Sequence, residues 1–91
     1  MPYQMVRCGE YPGTNLPLFR VFDAEEYNDA SVKNPQAIGE VWSTGVRGVL
    51  DTFVPTGVRW QLYGSWDESP LYPAGAHGEA ARAMIAAYEA A

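Results

Sequence analysis

Cysteine, histidine, cationic side chains and long apolar runs are all scarce in this 91-residue chain. Each scarcity argues against a class of function. Cys8 stands alone, so no internal disulfide can form, and the even cysteine set of a small secreted domain is missing. One Cys and one His, His77, cannot supply the clustered ligands of a structural zinc site within one chain. Six Lys and Arg face eleven Asp and Glu, a formal net charge of −5. Such a chain lacks the cations that displace counterions from phosphates, which disfavours direct nucleic-acid binding and docking on anionic lipid alike. The longest apolar run, residues 83–88, falls far short of the roughly 20 residues that span a bilayer. The first eight residues contain no apolar signal core, and none of the asparagines sits in a glycosylation acceptor. A reducing, aqueous compartment follows as the expectation, namely the cytoplasm. No cofactor is expected, because neither a Walker A loop nor a dinucleotide fingerprint is present.

What is there is globular: 47% of residues are hydrophobic and 19% charged, in a length suited to one domain. Residues 2–8 and Leu18–Phe22 read as strands joined by a Gly- and Pro-punctuated loop. Asp23 is placed to cap a short surface helix over 23–31, with Glu26 three residues on as in a capping box. Asn34-Pro35 carries a second helix-start signal. Beyond it, Ala37, Ile38, Val41, Trp42, Val46, Val49, Leu50 and Phe53 fall on one helical face, which predicts a helix over about 35–53 despite Gly39, Gly45 and Gly48. The alternative is two strands, 38–43 and 48–54, in a mostly-β domain. Residues 58–66 alternate as a strand, with Val58, Trp60, Leu62 and Trp66 on one face. An alanine-rich helix closes the chain from about His77 to Glu89. The expected fold is a small two-layer α+β domain of about three strands, in the order β-β-α-α-β-α.

Chemistry-bearing patterns are weak. Cys8 with His77 would form a nucleophile and base if the fold brought them together, and a carboxylate pair is the other enzymatic option. None of the four serines sits in a Gly-x-Ser-x-Gly elbow. Residues 45–48 have the Gly-x-x-Gly spacing of a KH-domain clamp without its basic surroundings. More informative are two surface candidates. Asp23, Glu25, Glu26 and Asp29 concentrate four acids without a base, a field that a basic partner would feel. Trp66, Asp67, Glu68 and Tyr72 place aromatics beside acids at a strand end and in a Pro-rich loop, where binding anchors often occur. The expected function is therefore a non-enzymatic protein–protein interaction module whose partner presents a basic surface. An acidic inhibitor that occupies a nucleic-acid-binding surface is one version, by analogy with small phage accessory proteins. Self-association through the strand at 58–66, giving a homo-oligomer, is a further option.

Overall fold

A computed structural model describes residues 2–91. It is mostly β: an antiparallel four-stranded meander in the order β1-β2-β3-β4, with β1 Tyr3–Glu10, β2 Pro17–Asp23, β3 Ala37–Arg47 and β4 Phe53–Leu62. A short helix α1, Ala24–Asn28, follows β2, and the main helix α2, His77–Ala90, ends the chain. The element order is thus β-β-α-β-β-α, which corrects the expected three-stranded β-β-α-α-β-α arrangement.

The error lies in one segment. Residues 35–53 form β3, a tight turn and the start of β4, not a helix. The minority two-strand alternative was nearer. Asn34-Pro35 caps nothing and lies in coil. The apolar pattern misled for a physical reason. Successive residues Val41, Trp42 and Ser43 are all buried, because β3 is an inner strand with cover on both faces. A strand buried on both sides loses its period-two alternation, and its apolar residues can then mimic a helical face. The three glycines were the better signal. Gly39 lies under α2, where an added Cβ would run into the Gln61 carbonyl oxygen and sit 2.6 Å from the Met84 sulfur.

Cross-strand rows define the core. Met5, Val21, Gly39 and Leu62 form one row, and Arg7, Phe19, Val41 and Trp60 the next. On this face Val21, Val41 and Val58 pack against Ala80, Ala81 and Met84 of α2, all essentially out of solvent. Alanines at two of the helix contacts let the helix lie close to the sheet, and Met84 fills the remaining space. The opposite face carries Leu18, Trp42 and Arg59 in one row and Val6, Arg20, Glu40 and Gln61 in another. Part of that face is covered locally. Tyr11 stacks on Trp42 with ring centroids 5.8 Å apart, and Tyr27 of α1 tilts onto Phe22 at 4.8 Å.

The outer edge of β4 is closed. Val58 and the backbone of Tyr72 exchange hydrogen bonds of 3.0 and 2.8 Å, Ser69 N–H donates to the Trp60 carbonyl, and Trp60 N–H donates to Ser69 Oγ. Further along, Thr56 has no cross-strand partner in the register, and Pro55 stands beside it. A bulge and a proline on an edge strand are devices that discourage pairing with another chain. These features work against self-association through residues 58–62.

Candidate functional site

The structure separates the two surface candidates. Register puts Asp23 opposite Tyr3 and Leu62 opposite Gly39, so α1 and the end of β4 lie at the same end of the sheet, on its opposite sides. With neighbouring strands about 4.8 Å apart, β1 and β4 are separated by roughly 14 Å.

Three of the four acids around α1 are engaged locally. Asp23 caps the helix as expected, accepting from the N–H groups of Glu25 and Glu26 at 2.9 and 3.2 Å. Glu26 does not complete a capping box; its Oε1 accepts the Gln36 N–H at 2.8 Å and ties the following loop to the helix. Asp29 accepts from both the N–H and the hydroxyl of Ser31, and these bonds hold its carboxyl below the usual carboxylate range. Glu25 is exposed. The four carboxylates still create a negative field, but three of them are committed to their own loop.

In the second group, Trp66 is 97% exposed and stands clear of the core. β4 stops at Leu62, four residues earlier than the alternation implied. Asp67 is exposed, its N–H resting on Ser65 Oγ. Tyr72 is half-buried, clamped to Val58 through its backbone and to the Trp60 ring N–H through its hydroxyl at 3.5 Å. Glu68 turns the other way, into a cleft shared with Arg59.

Cys8 and His77 do not meet. Cys8 is exposed on β1, its sulfur 3.5 Å from the Val6 carbonyl. His77 opens α2 and bonds through Nε2 to Ser43 Oγ at 2.7 Å, beneath the Phe19 ring. Burial lowers the His77 pKa, and a hydrogen bond to the Gly75 backbone opposes this in part. A Ser–His hydrogen bond is the first element of nucleophilic catalysis, but Ser43 is only 4% exposed. The pair acts as a polar tie between β3 and the start of α2. No local motif could have revealed it, since its members lie 34 residues apart. Among the described residues no group of three or more His, Cys, Asp or Glu is placed to hold a metal ion. Among the described residues, no helix is long and apolar enough to cross a membrane.

The tie carries a pH prediction. The folded-state pKa of His77 lies below the ordinary imidazole value of about 6.5, so the unfolded chain takes up a proton before the folded one does. The stabilisation is complete above pH ~6.5 and is lost as pH falls through the folded pKa. An NMR titration of the imidazole should give a midpoint below 6.5, and unfolding midpoints should fall with acid across that window. In a His77→Gln protein this component of the slope should vanish.

The feature that pattern reasoning missed is the β3–β4 hairpin. Beyond Thr44 it leaves the helix-covered body, and Val46, Val49, Leu50 and Val54 are 58, 81, 92 and 53% exposed. Its turn is tight: Thr52 N–H donates to the Val49 carbonyl at 3.2 Å, and Leu50 and Asp51 both have positive φ, 57° and 58°. A two-residue hairpin turn with both central residues left-handed strongly prefers Asn-Gly or Asp-Gly. Leucine there is costly both in backbone conformation and in exposed apolar surface. Arg47 braces the turn, pairing with Asp51 at 3.2 Å and lying over the Phe53 ring at 5.7 Å. Those two charges cancel, so the tip is apolar and locally neutral.

No protein-family model, no curated protein and no solved structure matches this chain.

Proposed function

We infer that the protein is a non-enzymatic binding module that docks on a larger protein through the tip of the β3–β4 hairpin. One observation carries this reading: Leu50, 92% exposed, is held in a left-handed backbone at the end of a projecting hairpin. Backbone strain persists where the surroundings or a function maintain it. Here the strained residue displays an aliphatic side chain to solvent. An apolar projection suits a cleft on a partner, and a few buried apolar anchors carry most of the energy of such interfaces. The acidic body, at −5 overall, favours a partner whose surface around that cleft is basic. The carboxylates of Asp23, Glu25, Glu26 and Asp29 lie at the opposite end of the sheet. Their contribution is to steer the encounter through the long-range field, which is salt-sensitive.

The test separates tip from field. A photo-crosslinking side chain at position 50 should capture a defined partner from host lysate, and one at position 25 should not. Changing Leu50→Asn together with Asp51→Gly should stabilise the fold by about 1–3 kcal/mol by relieving the turn, yet weaken that partner by at least tenfold. The set D23N, E25Q, E26Q and D29N, which keeps the acceptors of the caps, should slow association at low salt and change little at high salt. Undiminished partner binding by the stabilised Asn-Gly hairpin would overturn the reading.

A further inference from the structure

On the sheet face away from α2 lies a cleft of about 260 Å³, walled by Tyr11, Leu16, Trp42 and Thr44 and carrying Arg59 and Glu68. It is distinct from the hairpin tip. Two of its properties together specify a ligand.

The first is charge. Arg59 and Glu68 face the same small space, yet they form no ion pair with each other. The Arg59 guanidinium is fixed by one bond, Nη1 donating to the Ser69 carbonyl at 2.6 Å, which leaves its other N–H groups free of protein partners. The segment that carries Glu68 is pinned by the neighbouring Ser69, whose N–H and hydroxyl hold the β4 edge. A simple anion in the cleft would meet the carboxylate, and a simple cation would meet the guanidinium. A molecule with a carboxylate at one end and an ammonium at the other satisfies both, through charge-assisted hydrogen bonds.

The second is size and wall. Sites for drug-sized ligands run from roughly 300 to 1,000 Å³, so this cleft lies below that range and suits a molecule the size of one amino acid. Its apolar wall is chiefly the Tyr11 ring, 39% exposed and stacked 22° from parallel on the nearly buried Trp42, with the nearly buried Leu16 beside it. Flat aromatic and aliphatic surface favours an apolar or aromatic body on the ligand.

We propose that this cleft binds a free α-amino acid with an apolar or aromatic side chain, carboxylate toward Arg59 and ammonium toward Glu68, the side chain against Tyr11 and Trp42. The site does not depend on the hairpin reading and survives its failure.

The probes are L-phenylalanine and L-leucine, titrated into the full chain while the Trp42 indole and Tyr11 ring signals are followed by NMR. Saturable shifts at those two residues are expected for at least one probe, with a Kd in about the millimolar range or tighter. N-acetylphenylalaninamide, which has the same body and no charges, should bind at least about tenfold more weakly, the size expected for losing hydrogen bonds between charged groups. Glu68→Gln should weaken L-phenylalanine about tenfold and should not weaken N-acetylphenylalanine, which has no ammonium to lose and is relieved of a like charge. Arg59→Gln should do the reverse with phenylalaninamide; if it does not fold, the Glu68→Gln pair of measurements decides alone. Absence of saturable shifts for both amino acids, or equal affinity for the charged and blocked forms, would overturn the proposal.

Discussion

Gly39→Ala should destabilise the protein by about 3 kcal/mol, lowering its melting temperature by on the order of 15 °C. Gly39 sits in an inner strand directly beneath α2. A methyl group there would collide with the Gln61 carbonyl oxygen, stand 2.6 Å from the Met84 sulfur and 3.1 Å from Leu62 Cα. Two of those three neighbours are backbone atoms of β4 and cannot rotate away, so relief requires β3 and β4 to part or α2 to lift. The check is thermal or urea unfolding of the folded variant, followed by far-UV circular dichroism. A loss below about 1 kcal/mol, the scale of a tolerated core change, would show that α2 sits further from the sheet than described.

Met84→Ala is the complementary change and should cost about 2–5 kcal/mol. Met84 is fully buried, touches the sheet opposite Gly39, and is the largest of the fully buried side chains, clustered with valines and alanines. The buried residues clustered with it are valines and alanines, and the larger Trp60, Leu62 and Ile85 that pack against the cluster are only partly buried. The double variant is informative. Truncating Met84 removes the sulfur from the Gly39→Ala clash but leaves the Gln61 carbonyl in place. The two losses should therefore combine to less than their sum, by about 1 kcal/mol for groups in direct contact. Full additivity would mean that the helix and the glycine do not meet.

Both effects arise where α2 presses on the sheet, and neither lies at the hairpin tip. This matters for reading functional tests. The Asn-Gly hairpin is expected to gain stability while losing its partner, whereas the Gly39 and Met84 changes lose stability throughout the body. A partner-binding loss that tracks melting temperature across all these proteins would argue against a role for the tip. One that ignores it would argue for that role.

Much of the chain was legible from its residues. Strands β1 and β2 and helix α2 fall within two residues of the boundaries that periodicity and turn chemistry implied. Asp23 does cap a helix, because capping is a local hydrogen bond between a side chain and amides two and three residues on. The failures share one cause. Strand β3 is covered on both faces, by α2 on one side and by the Tyr11 loop on the other, and that cover comes from residues dozens of positions away. With both faces buried the alternation that marks a strand disappears. The strand read over 58–66 ends instead at Leu62, since the end of β4 depends on where residues 69–72 return to close its edge.

The candidate sites divide along the same line. Net charge, the solitary thiol and the solitary imidazole are properties of composition, and the sequence by itself determined them. The Ser43–His77 tie, the Arg59–Glu68 cleft and the exposure of Leu50 are distances and accessibilities. Each joins residues through the pairing of strands and the docking of one helix, or depends on how far a hairpin reaches past that docked body. Local propensity contains no information on either, so the tertiary structure decided them.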